Sequence, residues 1–328
     1  MKKTLVIGGA GYVGSQLVPA LLASGRQVSV LDTFWYGHKH LESIGNPNLK
    51  LIEADMRDVY QVKKAIAEMT EVIHLACISN DPSFDLNPEL GRSINLDSFR
   101  PIVQAIKGSG VQRFIYASSS SVYGIREEEN VTEDLALAPL TDYSRFKAEC
   151  EDIMMNEFSD NQVVTIVRPA TVCGYSSRQR FDLVVNILTA HAIINKEIKV
   201  FGGSQFRPNL HIRDMVDSYI ALLNAESKSI HREIFNIGSR NLTVKEIAQA
   251  VQKEVGEDIP IEFLDTNDLR SYRVDSSKIL QHIGFQPTLT INDAIAELKD
   301  HFPAFNSSNP LTDPRYINII RMKQLKLG

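Results

Sequence analysis

Cysteine is scarce in this chain: Cys77, Cys150 and Cys173 are its only three, far apart and without a Cys-x-x-Cys pair. That usage excludes a disulfide framework and a structural zinc site, and it fits a reducing compartment. Long apolar runs are missing too. Nothing reaches the roughly 18 consecutive apolar residues of a membrane span. The chain passes from Met-Lys-Lys straight into TLVIGG, too short a run for a secretory core. Positive charge is not in excess either, because 35 Lys and Arg stand against 40 Asp and Glu, a net −5. Nucleic-acid binding needs clustered cations, so it is disfavoured, whereas a small anionic ligand needs only a few local arginines. No internal repeat or low-complexity linker interrupts the chain. The expectation is a soluble cytoplasmic protein with no metal, nucleic-acid or membrane partner.

What is present is the material for a large α/β core: 328 residues, 43% of them hydrophobic. Apolar, β-branched runs recur at 4–9, 27–32, 49–55, 71–77, 113–119 and 163–169. Their near-continuous apolar character suits strands buried on both faces. Helix-like segments lie between them at 12–24, 58–68, 88–107 and 141–158, and Pro101 should kink or split the third. Such alternation predicts a doubly wound parallel sheet, the Rossmann arrangement. Beyond about residue 170 the pattern loosens into a smaller mixed α/β lobe. The expected division is 1–172 for dinucleotide binding, with 205–240 returning to that domain, and 173–328 for substrate. His74 and His211 read as structural histidines.

The turn VIGGAGYVGSQL sets Gly9-x-Gly11-x-x-Gly14 between a strand and a helix, with Gly8 as a fourth glycine. Glycines there let backbone N–H groups approach a pyrophosphate at a helix N-terminus. Asp32 ends the next strand, where a carboxylate accepts from ribose hydroxyls and repels a 2′-phosphate. Thr33, Phe34 and Trp35 follow, with no cation to welcome that phosphate. NAD is favoured over NADP, with FAD a lesser alternative. Asp55 and Met56, after the third strand, are candidates for the adenine side.

LTDYSRFKAE places Tyr143 and Lys147 one helical turn apart on one face. A phenol is a poor base at neutral pH, but neighbouring positive charge favours its ionised form. The strand RFIYASSSS ends in the serine run Ser118–Ser121, whose hydroxyls can hold the same substrate oxygen.

Taken in order, the Gly motif, SSSSVYG, Tyr-x-x-x-Lys and RPATVCG resemble the extended short-chain dehydrogenase/reductases, and within them the NAD-dependent nucleotide-sugar epimerase/dehydratase branch. The resemblance runs from residue 1 to about 300. It implies Tyr143 as catalytic base and acid, Lys147 as its partner and Ser119 as the third member. It implies cofactor contacts from Gly8, Gly11, Tyr12, Val13, Gly14, Asp32, Asp55, Met56, Leu75, Ala76, Asn95, Ser118, Pro169 and Ala170, besides Tyr143 and Lys147. Relatives that dehydrate sugars carry Thr-Asp-Glu before Val-Tyr-Gly, where this chain has Ser119, Ser120 and Ser121. The hydroxyl is kept and both acids are missing, which disfavours a dehydratase.

On the substrate side, guanidinium groups suit a nucleotide-sugar diphosphate. Arg178, Arg180, Arg207 and Arg273 are the candidates, and Arg270 stands near them. Ser79, Asn80, Asp81, Ser119, Ser120 and Thr171 are candidates for the sugar pocket, Thr171 standing where relatives often have Asn. The leading expectation is a nucleotide-sugar 4-epimerase. A net NAD-dependent dehydrogenase or 4-ketosugar reductase, and a non-catalytic NAD-binding sensor or scaffold, stay as alternatives. Relatives pair through two long helices, so a homodimer through 88–107 and 141–158 is expected.

Overall fold

Along the apolar runs of the first half, neighbouring side chains go to opposite sides. Leu5 and Ile7 enter one hydrophobic cluster while Val6 enters another. Phe114 and Tyr116 likewise part from Ile115 and Ala117. Both clusters are fully covered, so each strand must be apolar at every position, which is why these runs do not alternate. The computed structural model describes residues 1–158, 161–266, 270–305, 307 and 309–327.

The strands are β1 (Lys3–Ile7), β2 (Gln27–Asp32), β3 (Leu49–Glu53), β4 (Glu71–His74), β5 (Arg113–Ala117), β6 (Val163–Pro169), β7 (Thr171–Cys173), β8 (Ile198–Phe201), β9 (Phe206–His211), β10 (Glu233–Ile237), β11 (Arg240–Thr243) and β12 (Ile261–Leu264). A parallel sheet of seven runs β10-β6-β5-β4-β1-β2-β3. Its order reverses between β1 and β4, and a crevice opens at such a switch point. Gly8 stands there with φ +86°, and a Cβ on it would lie 2.5 Å from the Ala76 backbone nitrogen. Only glycine lets the two strand ends come this close.

The remaining strands form a three-stranded sheet, β11-β9-β7, and a parallel pair, β12-β8. Neither β7 nor β9 is evident in the sequence, since FRPNLH is polar and carries a proline. The 88–107 segment is divided as Pro101 requires. A helix Pro88–Arg92 runs into a π-turn Ser93–Asp97, and a new helix begins at Phe99 with Pro101 third in line. There the missing N–H leaves few intrahelical partners unmet. Arg100 and Gln104 on this helix are exposed and bond Glu157 of the same chain.

The helix Asp142–Glu157 starts with a reciprocal cap between Thr141 and Ser144. Its Glu151 is buried and pairs with Arg168 of β6 at 2.6 Å. Ser118 Oγ donates to the same carboxylate, and Arg168 Nη1 donates to Tyr123 Oη at 2.8 Å. His74 stacks against both Phe99 and Tyr116, and burial, helped by the Lys147 charge, pushes its pKa down to about 3. Among the described residues no helix is long and apolar enough to cross a membrane.

Two stability outcomes follow from these buried charges. Arg168→Met leaves Glu151 uncompensated and should cost about 3–5 kcal/mol in urea unfolding, with part recovered in Arg168→Met/Glu151→Leu. At His74 the unfolded chain gains a proton below its ordinary pKa of 6.5, whereas the fold refuses it until about pH 3. Stability is therefore lost as pH falls through that window, and His74→Leu should lose less between pH 7 and pH 4 in the same assay.

Candidate active site

The switch-point crevice deepens into a cavity of about 800 Å³. One wall is the Gly turn. A Cβ on Gly9 would meet Val30, and one on Gly14 would lie 2.4 Å from the Gly9 carbonyl oxygen, so both are glycine for packing. Gly11 differs, because a Cβ there would meet only Gly8 O at 3.4 Å. Nothing in the protein requires glycine at that place, while a ligand lying against the turn does; this is the mark of a dinucleotide site. Asp32 closes the same wall, its oxygens accepting from the N–H groups of Ala10 (3.0 Å) and Phe34 (2.9 Å). Burial raises its pKa, and those backbone bonds oppose the rise.

The opposite wall comes from the end of β5 and the helix Asp142–Glu157. Lys147 is buried, lies 6.0 Å from the centre of the Tyr143 ring, and donates to Ala117 O at 2.6 Å. Burial holds the Tyr143 phenol far above its ordinary range; the Cys77 thiol adds to this, and a hydrogen bond with Ser119 opposes it. The phenol is therefore protonated in the protein alone. Ser119 also accepts from the Ser121 N–H at 3.1 Å, which fixes its hydroxyl at the cavity edge.

The cavity wall gathers nearly all the residues singled out in the sequence. Gly8, Gly11, Tyr12, Val13, Gly14, Asp32, Asp55 and Met56 form the side of the Gly turn. Leu75, Ala76, Ser118, Pro169 and Ala170 form its floor, and Ser79, Asn80, Thr171, Arg178, Arg180 and Arg207 line the remainder. Three do not line it. Ser120 is buried with its hydroxyl 3.2 Å from that of Tyr272, because a 3₁₀ turn over Ser120–Tyr123 rotates it away. Asn95 is one layer behind, its amide bonded to both the N–H and the carbonyl of Ile78. Arg273 lies over the Phe206 ring and donates to Glu127 O at 2.9 Å.

The acids around the cavity are engaged. Arg57 bonds Asp55 and holds its carboxyl below the usual range. Asp182 is buried, which works against ionisation, yet Arg180 at 2.8 Å brings its pKa down. Asp81 Oδ2 is 2.5 Å from Arg270, while Oδ1 finds no partner among the described residues. Asp182, Tyr36 and Asn318 also line the cavity. None of these three is among the candidates from the sequence; a carboxylate two residues after Arg180 in RQRFD is a signal that could have found Asp182, whereas nothing local marks Asn318.

Gly11 and Gly14 should separate in mutagenesis. Gly11→Ala should stay within about 0.5 kcal/mol of the parent in stability yet weaken NAD binding by calorimetry. Gly14→Ala forces backbone apart and should unfold at clearly lower urea.

Comparison with known proteins agrees with this geometry. A family model, the NAD dependent epimerase/dehydratase family, matches residues 4–238. The UDP-glucose 4-epimerase of Lactobacillus helveticus is 29% identical over 316 residues, 90% of this chain and 95% of that one. A UDP-glucuronic acid decarboxylase of Danio rerio is 27% identical over 92% of this chain and 72% of its own length. Among solved structures, the UDP-glucuronic acid 4-epimerase of Bacillus cereus, in complex with UDP-glucuronic acid and NAD, is similar with a TM-score of 0.83. It is 27% identical, over 92% of this chain and 99% of that one. NAD is the cofactor that the Gly turn and Asp32 fit. With its sheet, its Gly turn and more than half its length matched, the chain belongs to the NAD-dependent epimerase/dehydratase family.

Proposed function

We propose that this protein is a nucleotide-sugar 4-epimerase. One observation carries the reading: Ser119, Tyr143 and Lys147 stand together at the cavity, while Ser120, in place of an acid, is turned into the core. Bound NAD supplies a hydride acceptor and donor and, when oxidised, a positive charge. The chain's own residues handle the proton. Tyr143 takes it from the C4 hydroxyl and later returns it to the same oxygen. Lys147 favours the phenolate by its charge, and Ser119 holds the substrate oxygen by a hydrogen bond. Elimination of water would need a further base at C5 and an acid for the C6 hydroxyl. The carboxyls at the cavity are poor candidates, since Asp55, Asp182 and Asp81 face arginines and Asp32 is bonded to backbone.

In this reading residues 1–172 hold the dinucleotide, with 205–240 returning to that domain through β10, and 173–328 holds most of the nucleotide sugar. Arg207 and Arg270, on the wall away from the Gly turn, suit its diphosphate, and Thr171 faces the sugar. UDP-sugars are the first class to test, because the L. helveticus and B. cereus relatives are UDP-sugar 4-epimerases.

Turnover of UDP-sugars in deuterium oxide should interconvert C4 epimers with no deuterium on carbon and no build-up of NADH, as read by NMR and absorbance. Deuterium at C5 with loss of water would mean dehydration, and steady NADH a net dehydrogenase. Tyr143→Phe should lower kcat by about a hundredfold or more while NAD affinity stays near that of the parent.

A further inference from the structure

Arg178 makes no contact ion pair with a carboxylate among the described residues, and Asp182 and Asp32 act on its charge only from a distance. It follows β7 on a loop that packs against the Gly turn, and its N–H donates to Ser15 Oγ at 3.3 Å in the helix Gly14–Ala23. The residue is 5% exposed, and its guanidinium lies 4.0 Å above the centre of the Tyr36 ring. Nη2 donates to Oδ1 of Asn318 at 2.5 Å. Its buried Nε finds no acceptor among the described residues. Arg180 is held otherwise: Nε donates to Asp182 at 2.8 Å and Nη1 to Ser79 at 3.0 Å. One arginine is neutralised by a carboxylate, and the other is gripped by a neutral amide. Burial and the nearby Arg180 charge lower the Arg178 pKa to about 10, still well above neutrality, so the cation is kept.

A buried cation with no carboxylate in contact is costly unless an anion arrives. We propose that Arg178 receives a diphosphate, that of the bound dinucleotide, and that Asn318 positions it there. Its neighbours decide which diphosphate. Ser15 is in the helix that the Gly turn opens, Tyr36 follows β2, and the Asp32 carboxylate lies within its field. The pyrophosphate of a dinucleotide belongs at the start of that same helix. An amide at 318 suits the task, since a carboxylate would occupy the charge itself. The same amide donates to Ser79 Oγ at 3.3 Å, and Asn318 N–H donates to Asp182 at 3.3 Å.

Asn318 reaches this place on a C-terminal arm that lies outside the matched family region. The Tyr316 ring packs 5.7 Å from that of Phe181, Met322 is fully buried in the sheet's core cluster, and Arg321 Nε donates to Trp35 O at 2.5 Å. Asn87 Nδ2 donates to Leu327 O at 3.0 Å. The arm thus spans from the second lobe to the loop after β2 and completes the cofactor site. The inference rests on NAD as cofactor and not on epimerisation, so either can fail without the other.

The test is calorimetric titration of the cofactor-free full chain with NAD⁺, ADP, adenosine and UDP. Arg178→Gln and Asn318→Asp should each weaken NAD⁺ and ADP by about tenfold or more, with adenosine and UDP unchanged. Weakening of UDP with NAD⁺ unchanged would move Arg178 to the nucleotide sugar and overturn the proposal. Unchanged NAD⁺ and ADP, or an equal loss for all four ligands, would overturn it too. If thermal melting shows that Arg178→Gln does not fold, Asn318→Asp, which keeps an acceptor for Nη2, carries the test. Unchanged NAD⁺ affinity in that variant alone removes the positioning role.

Discussion

The Glu151–Arg168 ion pair is the interaction on which the candidate active site depends. Glu151 is one turn beyond Lys147 and two beyond Tyr143, so all three share a helix face. Its carboxylate is fixed by Arg168 of β6 and by Ser118 at the end of β5. One buried anion therefore locks the helix bearing the phenol to the strand ends bearing the serines. Desolvation offsets most of the Coulombic gain of such a pair. What it contributes is direction, because a bidentate guanidinium admits one orientation of the helix against the sheet.

That fixed wall sets the protonation state of the phenol. Tyr143 is packed where ionisation is unfavourable, and Lys147 is tied to the Ala117 carbonyl with its ammonium beside the Tyr116 ring. Neither the Lys147 ammonium, 6.0 Å from the ring centre, nor the Arg180 charge overcomes burial, and the phenol keeps its proton. Additional positive charge in the cavity shifts that balance toward phenolate. On the proposed reading the base is formed when cofactor is present, so substrate meets an inert site otherwise.

Much of this was legible in the residues themselves. Strands covered on both faces leave continuous apolar runs, a Gly turn answered by Asp32 announces a dinucleotide, and helical spacing unites Tyr143 with Lys147. Directions of side chains were less legible. Ser120 and Ser119 are neighbours in sequence, yet the 3₁₀ turn sends one hydroxyl to Tyr272 and leaves the other at the cavity. Arg273 has the right charge but packs against Phe206. Asn318 had no local sign at all, since it meets Ser79 across 239 residues of chain, and only the folded arm brings them together.

The loop after β7 also bears on how such proteins can be recombined. Tyr12 Oη donates to Gly174 O at 2.7 Å, Ser176 Oγ donates to Tyr12 O at 2.8 Å, and Asn186 donates to Tyr12 Oη at 3.1 Å. The glycine turn, which looks like the most portable piece of the chain, is therefore stitched to residues more than a hundred and fifty positions away. A chimera whose second half lacked an amide at 186 or a hydroxyl at 176 would lose those donors to Tyr12, although the Gly174 carbonyl, being main chain, would still accept from its hydroxyl. The side chains at 12, 176 and 186 therefore belong together when halves are exchanged, and the seam between them is a poor place to cut.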